Sequence, residues 1–259
     1  MKNLFDVSGK VALVTGGSRG IGEMIAEGFV ANGVRTYISA RKGQACDATA
    51  ARLSRLGKCV SIPADLSTLD GIAALVGEIR NREKKLDILV NNAGATWGAS
   101  IEEFPEAGWD KVMDINVKSP FFLTQALLPM LEKSATPEDP ARIIMVGSID
   151  GLGVSRLPTF SYGPSKAAVH HLTRTLASHL AGRNITANAI APGPFPSKMM
   201  KHTLETMGEQ IKKGVPLKRI GEPADMAGVA IYLSSRASSY VTGVVIPVDG
   251  GIVGASGTL

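Results

Sequence analysis

The sequence has few cysteines and no long apolar run. Cys46 and Cys59 are its only cysteines, and a single pair cannot hold a domain of 259 residues together. We therefore expect free thiols in a reducing, cytoplasmic compartment. No apolar stretch approaches the ~20 residues that a membrane-spanning helix needs, and the N-terminal segment lacks both a long apolar core and a small-residue cleavage site. These absences argue against a membrane protein and against a disulfide-bonded secreted one.

Clusters of charge are also missing. The chain has 28 basic and 23 acidic side chains, a net charge of +5, and its basic residues occur singly or in pairs such as Lys84-Lys85. Nucleic-acid binding usually concentrates basic residues on one face, so we expect no nucleic-acid partner. Hydrophobic residues make up 44% and charged residues 20% of the chain, which excludes a disordered or collagen-like protein.

Short β-branched and apolar runs alternate along the chain with longer segments of helical periodicity. This alternation predicts an α/β protein with a seven-stranded, doubly wound parallel sheet and helices on both faces. Several runs, such as VALVT and RIIMV, are apolar throughout, as in strands buried on both sides. The predicted strands are Lys10–Thr15, Val34–Ser39, Cys59–Pro63, Leu86–Asn91, Arg142–Gly147, Ile185–Ile190 and Val244–Val248, and the predicted helices lie near 20–32, 45–57, 68–82, 107–133, 162–181 and 223–235.

No Pro-, Gly- or Ser-rich linker divides the chain, so we predict a single domain over residues 1–259. Residues 195–215 follow a proline-rich stretch and are amphipathic, with several methionines. Because thioethers repack easily, this segment would suit a lid over an apolar ligand; the alternative is that it covers the core. Candidates for lining such a pocket, each with an equally ordinary core role, are Trp97, Met199, Met200 and Met207.

A glycine-rich segment, Thr15–Gly22 (TGGSRGIG), directly follows the first predicted strand and opens the first predicted helix. Glycine allows a sharp turn there and lets a diphosphate approach the helix N-terminus, where free N–H groups favour anions. A bare tight turn would have a similar composition. The strand before and the helix after favour a dinucleotide site.

The end of the second strand indicates which dinucleotide binds. Enzymes that use NAD usually carry an acidic residue there, which holds the ribose hydroxyls. This chain has Arg41 and Lys42 instead, and Arg19 lies inside the glycine segment. Guanidinium groups bind a 2′-phosphate well, so the sequence predicts NADP(H). Asp65, after the third strand, is a candidate acceptor for the adenine amino group, or else a helix N-cap.

Tyr162 and Lys166 are four residues apart at the start of a helical segment, so both project from one face. An ammonium group beside the phenol should lower its pKa from ~10 toward the working pH. Such a phenol can protonate a developing alkoxide, or deprotonate an alcohol in the reverse direction. Ser148 ends the preceding strand, at the sheet edge where ligands bind, and its hydroxyl can hydrogen-bond a carbonyl oxygen.

The sequence lacks the motifs of two other kinds of site, the nucleophile of a serine hydrolase and a metal centre. Ser148 lies in GSIDG rather than in the Gly-x-Ser-x-Gly elbow of a serine hydrolase. The four histidines have no metal-site spacing, and three of them, His170, His171 and His179, fall on the helix that carries Tyr162, where packing or subunit contact is the expected role. We predict no metal.

These motifs together resemble those of the short-chain dehydrogenase/reductase family, over essentially the whole chain. The matching pieces are TGGSRGIG (15–22), NNAG (91–94), Ser148, YGPSK (162–166) and PGPFPS (192–197). Around them, the sequence is similar to the 3-oxoacyl reductases associated with rhamnolipid synthesis. The resemblance implies a Rossmann fold, hydride transfer from the nicotinamide and a homotetramer.

The resemblance also implies roles for individual residues. Asn116 would help hold a water that leads from Lys166 to solvent, completing a catalytic tetrad of Asn116, Ser148, Tyr162 and Lys166. Ser197 replaces the threonine with which the family's Pro-Gly segment normally ends, and would meet the nicotinamide carboxamide. The candidate cofactor-binding residues are Gly16, Ser18, Arg19, Gly20, Ile21, Gly22, Arg41, Asp65, Leu66, Asn92, Ala93, Gly94, Tyr162, Lys166, Pro192, Gly193 and Ser197.

The sequence predicts an NADPH-dependent carbonyl reductase, with a 3-oxoacyl thioester or a related apolar ketone as its small-molecule substrate. Two alternatives stay open. The same chemistry would serve a sugar, steroid or xenobiotic ketone, and the same fold serves non-catalytic nucleotide-binding regulators.

Overall fold

The computed structural model describes residues 2–155, 157–197 and 200–255. Within them, seven strands form one parallel sheet, as predicted. Its order is β3-β2-β1-β4-β5-β6-β7, so the chain starts in the middle, builds outward to β3 and then crosses back to β4. The strands are β1 (Val11–Thr15), β2 (Arg35–Ser39), β3 (Cys59–Ser61), β4 (Ile88–Asn91), β5 (Ala141–Val146), β6 (Ile185–Pro192) and β7 (Val245–Val248).

Eight α-helices are present in the described residues, and the predicted ones occur close to their expected places. They are α1 (Gly20–Ala31), α2 (Gly43–Leu53), α3 (Leu69–Arg82), α4 (Glu106–Met113), α5 (Ser119–Ser134), α6 (Tyr162–Leu180), α7 (Lys201–Gly214) and α8 (Pro223–Ser234). Among these residues, no helix is both long and apolar enough to cross a membrane.

The sheet is buried on both faces, which explains its uniformly apolar strands. Along β1, Val11 and Leu13 enter one core while Ala12 and Val14 enter the other, because successive side chains of a strand point to opposite faces. Helices α3, α5 and α6 cover the first core, and α1, α2 and α8 cover the second. The fold is therefore the expected doubly wound Rossmann arrangement.

One predicted helix is not continuous. The segment expected as a single helix over 107–133 is divided into α4 and α5 by a π-helical turn, Asp114–Lys118. Such turns add a residue to the helical repeat and are frequent at functional sites. Asn116 lies in the middle of this turn and is buried.

Strands β1 and β4 are neighbours in space although two strands separate them in the chain. The connections after them therefore leave in opposite directions, and a crevice opens at the carboxyl edge of the sheet between them. The glycine segment follows β1 and the NNAG segment follows β4, so the topology brings both to this crevice.

Candidate active site

The glycine segment forms a tight turn in which the glycine positions have little or no room for a side chain. Gly16 and Gly20 adopt positive φ angles of 64° and 56°, a region that glycine enters without strain. A Cβ on Gly22 would lie 2.4 Å from the carbonyl oxygen of Gly16. The backbone at the N-terminus of α1 is therefore bare, which is the surface that a diphosphate needs for close approach.

The NNAG segment braces this turn through hydrogen bonds rather than through packing alone. The Asn92 side chain donates to the carbonyl of Thr15 at 2.8 Å and to that of Gly16 at 3.2 Å. The Thr15 hydroxyl in turn accepts the backbone N–H groups of Asn92 and Ala93, at 2.9 and 3.0 Å. The side chain of Asn92 is thus used to shape the glycine turn.

The residues of the turn other than glycine differ in how far they are buried. The Ser18 carbonyl accepts a hydrogen bond from Thr49 of α2 at 3.0 Å, and Ile21 packs against the core under α1. Arg19 is exposed, as is Arg41 just beyond β2. Both guanidinium groups therefore stay accessible to a ligand phosphate.

Asp65 is not a helix N-cap. Thr68 caps α3 by accepting from the N–H of Gly71, whereas Asp65 accepts from the N–H and hydroxyl of Ser67, at 3.0 and 2.7 Å. These hydrogen bonds hold the pKa of Asp65 below its usual value, and the charge of Arg41 lowers it further. The neighbouring Leu66 side chain is buried in the core, so only its backbone is left for a ligand.

The Pro-Gly segment returns to the glycine turn. Pro192 ends β6, and Gly193 donates its N–H to the carbonyl of Val248 at 2.9 Å. A Cβ on Gly20 would lie 3.2 Å from the Cβ of Ser197, so this serine sits over the start of α1. Its hydroxyl accepts the N–H of Met200 at 3.2 Å. The expected contact of Ser197 with a carboxamide stays a prediction.

Tyr162, Lys166 and Ser148 are brought together as predicted from the sequence. Tyr162 begins α6, and the Lys166 ammonium group lies 5.6 Å from the centre of its ring. Ser148 follows β5, is buried, and hydrogen-bonds the phenol. This trio lies at the carboxyl edge of the sheet.

The prediction that the pKa of the Tyr162 phenol is lowered is wrong. The pKa of Tyr162 is raised to about 12, chiefly by burial; the hydrogen bond from Ser148 lowers it by a smaller amount, and the charge of Asp150 makes the smallest contribution, a rise. Lys166 does not compensate, because its Nζ donates to the carbonyl of Val146 at 2.8 Å. Its own pKa falls to about 8, since burial disfavours the ammonium form.

Asn116 connects the cluster to the NNAG side of the crevice. Its amide exchanges two hydrogen bonds with the backbone of Ala95, at 2.8 and 3.0 Å, and donates to Ser165 at 2.9 Å. Ser165 then donates to the carbonyl of Tyr162 at 2.7 Å. A Cβ on Gly94 would lie 3.1 Å from the Asn116 oxygen and 3.6 Å from the Lys166 nitrogen. The side chain of Asn116 therefore positions the start of α6.

Comparison with known proteins identifies this arrangement. Residues 16–253 match a family model described as enoyl-(acyl carrier protein) reductase. A rhamnolipid-biosynthesis 3-oxoacyl-[acyl-carrier-protein] reductase of Pseudomonas aeruginosa is 49% identical over 253 residues, 97% of this chain and 99% of that protein. The chain belongs to the short-chain dehydrogenase/reductase family. It is therefore an oxidoreductase of that family.

Other family members share the fold with different named substrates. The solved structure of Pseudomonas aeruginosa RhlG in complex with NADP superposes with a TM-score of 0.94 at 48% identity, covering 98% of this chain and all of that one. A gluconate 5-dehydrogenase of Gluconobacter oxydans is 33% identical over 253 residues, 96% of this chain and 97% of that protein. Family membership alone therefore leaves the substrate open.

Two further residues, His170 and Asp150, lie beside the cluster. His170 is buried with neither ring nitrogen hydrogen-bonded, and a Cβ on Gly147 would lie 2.0 Å from its Nε2. The histidine thus packs against the glycines around Ser148, in line with the packing role expected of it. Asp150 faces the phenol of Tyr162. Within the described residues, no group of three potential metal ligands occurs.

The pocket candidates lie in different surroundings. Trp97 packs on Gly108 of α4, and Lys111 lies 4.9 Å above its ring. Met207 of α7 is 48% exposed, and neither it nor the half-buried Met200 belongs to the two cores. Met207 therefore does not cover the core, and the pocket role of both methionines stays a prediction. Met199 lies outside the described residues.

Proposed function

We propose that this protein is an NADPH-dependent reductase of 3-oxoacyl thioesters, which converts the 3-oxo group into a 3-hydroxyl group. The observation that carries the proposal is the joint placement of Ser148, Tyr162 and Lys166 beside a bare glycine turn. The 49% identity to a 3-oxoacyl-[acyl-carrier-protein] reductase supports the choice of substrate.

The residues of the crevice fit a dinucleotide. The turn around Gly16, Gly20 and Gly22 would be filled by side chains if these glycines were replaced, so its free backbone N–H groups can hold the diphosphate. Exposed Arg19 and Arg41 would hold the 2′-phosphate, since no carboxylate ends β2 to repel it. When bound, NADPH supplies the hydride for the ketone carbon.

Tyr162 acts as the acid of the reduction. A phenol whose pKa lies at about 12 is fully protonated at neutral pH and has a proton to give. Ser148 hydrogen-bonds the substrate oxygen and turns it toward the phenol. As negative charge develops on that oxygen, Tyr162 transfers its proton to it, and an alcohol results.

Lys166 stabilises the phenolate that this transfer leaves behind. Its ammonium group lies next to the ring, and its short bond to the Val146 carbonyl keeps it in place. Lys166 would also bind the nicotinamide ribose and pass protons from solvent to Tyr162. Asn116 keeps the first turn of α6 in register through Ala95 and Ser165, so the relay depends on it indirectly.

The segment 195–215 would close over the acyl chain. Met207 is exposed on α7, outside both cores, on the segment that begins where Ser197 touches the glycine turn. Methionine adapts to chains of different length. Trp97 and Met200 would contribute further apolar surface, as would Met199.

A substrate series tests the proposal. Purified protein is given NADPH with 3-oxoacyl thioesters of increasing length, with a 2-enoyl thioester, with a ketosteroid and with 5-ketogluconate. Reduction of the 3-oxoacyl thioesters with the highest kcat/KM is expected. Preference for the enoyl thioester, the sugar acid or the steroid would contradict the proposed substrate.

A second experiment tests the acid. Tyr162→Phe removes the hydroxyl and keeps the ring, so NADPH binding should persist while turnover falls by about a hundredfold or more. Fluorescence titration measures the first quantity and a steady-state assay the second. Undiminished turnover in Tyr162→Phe would contradict the assignment of this residue as the acid.

A further inference from the structure

The turn after Ser148 brings an acidic residue, Asp150, next to that serine. Ile149–Gly151 is a 3₁₀ turn, and the Ser148 hydroxyl accepts the N–H of Asp150 at 3.1 Å. A Cβ on Gly151 would lie 2.6 Å from the carbonyl carbon of Lys166, so the turn packs directly on α6. Asp150 is therefore held between the serine and the helix.

A second contact places the backbone of Asp150 against the first turn of α6. A Cβ on Gly163, the residue after Tyr162, would lie 3.2 Å from the Asp150 carbonyl oxygen. The carboxyl group is close enough for its charge to act on the phenol, and partial burial raises its own pKa above the usual value. Asp150 thus sits next to both groups assigned to bind the ketone oxygen.

No cation neutralises this carboxyl group within the described part of the chain. None of the ion pairs there includes Asp150. Three titratable groups of α6 lie near the turn, those of Tyr162, Lys166 and His170. Lys166 donates to Val146, Tyr162 is neutral, and burial lowers the pKa of His170 so that it is neutral as well.

We propose that Asp150 is a specificity-determining residue that rejects substrates carrying a carboxylate near the ketone and so selects thioesters over free acids. This inference rests on the proposed function. A free 3-oxo acid has its carboxylate two bonds from the ketone carbon, whereas the thioester is uncharged at that position. The ionised carboxyl group of Asp150 and the carboxylate of the acid would repel each other, and partial burial of Asp150 strengthens that repulsion.

The test compares one neutral and one anionic ketone of the same skeleton, ethyl 3-oxobutanoate and 3-oxobutanoate. The wild type should prefer the ester. Asp150→Asn keeps the size of the side chain and removes its charge, so kcat/KM for the anion should rise by about tenfold relative to that for the ester. Asp70→Asn, on the exposed first turn of α3, is the control and should leave the ratio unchanged.

The outcomes separate this inference from the proposed function. If the wild type reduces neither the ester nor a 3-oxoacyl thioester, the proposed function fails. If the wild type reduces the ester while Asp150→Asn leaves the ester-to-acid ratio unchanged, only the role of Asp150 fails. NADPH binding by the variant, measured by fluorescence, shows that the site is still folded.

Discussion

Tyr162 and Lys166 lie one helical turn apart, and burial moves their pKa values in opposite directions. The phenol reaches about 12 and the ammonium group falls to about 8, because each loses the hydration that favours its charged form. The phenol is thereby kept as a proton donor. At the residue scale, a phenol that is protonated at neutral pH suits the role of acid proposed for Tyr162.

A pH dependence follows from these two pKa values. The Lys166 cation is present below about pH 8 and is lost as the pH rises through that value, while Tyr162 stays protonated until about 12. We expect kcat for reduction to be level on the acid side and to fall through about pH 8. Steady-state assays at saturating NADPH measure it. A rate that stays level well beyond that pH would show that the charge of Lys166 is not required.

Arg41 should control the choice of coenzyme. Arg41→Ala removes a charge-assisted hydrogen bond to the 2′-phosphate, so the preference for NADPH over NADH should fall by about tenfold. The ratio of kcat/KM for the two coenzymes measures this effect. Arg55→Ala removes an equally exposed cation beyond the C-terminal end of α2 and should not change the ratio. An unchanged ratio in Arg41→Ala would remove this arginine from the coenzyme site.

At the scale of elements, the glycine turn and the π-helical turn hold the site together. The first leaves the start of α1 bare, and the second places Asn116 where it can bond both Ala95 and Ser165. The strand runs and the glycine spacing are local patterns, so the sequence predicted them. The π-helical turn was missed, because the apolar periodicity of 107–133 is nearly the same with or without one added residue.

Two glycine variants test the role of the turn. Gly22→Ala would place a methyl group 2.4 Å from the Gly16 carbonyl oxygen, so the Kd for NADPH should rise by about tenfold or more. Gly77→Ala in α3 meets no atom within 4 Å and should raise the free energy of unfolding by about 0.4–1 kcal/mol. Unchanged NADPH affinity in Gly22→Ala would contradict the assigned role of the turn.

At the scale of the whole molecule, large aromatic side chains remain exposed on the consecutive helices α4 and α5. Trp109 is 42% and Phe121 37% exposed. Exposed aromatic side chains are candidates for an association site where they join into one apolar patch, and the family resemblance implies a homotetramer. We expect light scattering to give four times the chain mass of 27.1 kDa.

A charge placed on this face tests the assembly. Phe121→Glu should produce smaller species, because a carboxylate would be buried at the interface. Leu56→Glu, on an exposed loop at the other edge of the sheet, is the control and should not change the mass. A wild-type mass of one chain would refute the tetramer.

Features that depend on neighbours along the chain follow from the order of the amino acids alone. Apolar runs specified buried strands, glycine spacing specified the turn after β1, and the four-residue interval placed Tyr162 and Lys166 on one face of a helix. Contacts between residues that are distant in the chain could be known only from the folded structure. In the folded chain, the Lys166 ammonium group donates to the Val146 carbonyl, and the Asn116 amide oxygen accepts from the Ala95 N–H. Asp150 lies close enough to Tyr162 for its charge to act on the phenol. The pKa of a side chain depends on its burial and on the charges packed against it. The spacing of residues along the chain shows neither of these.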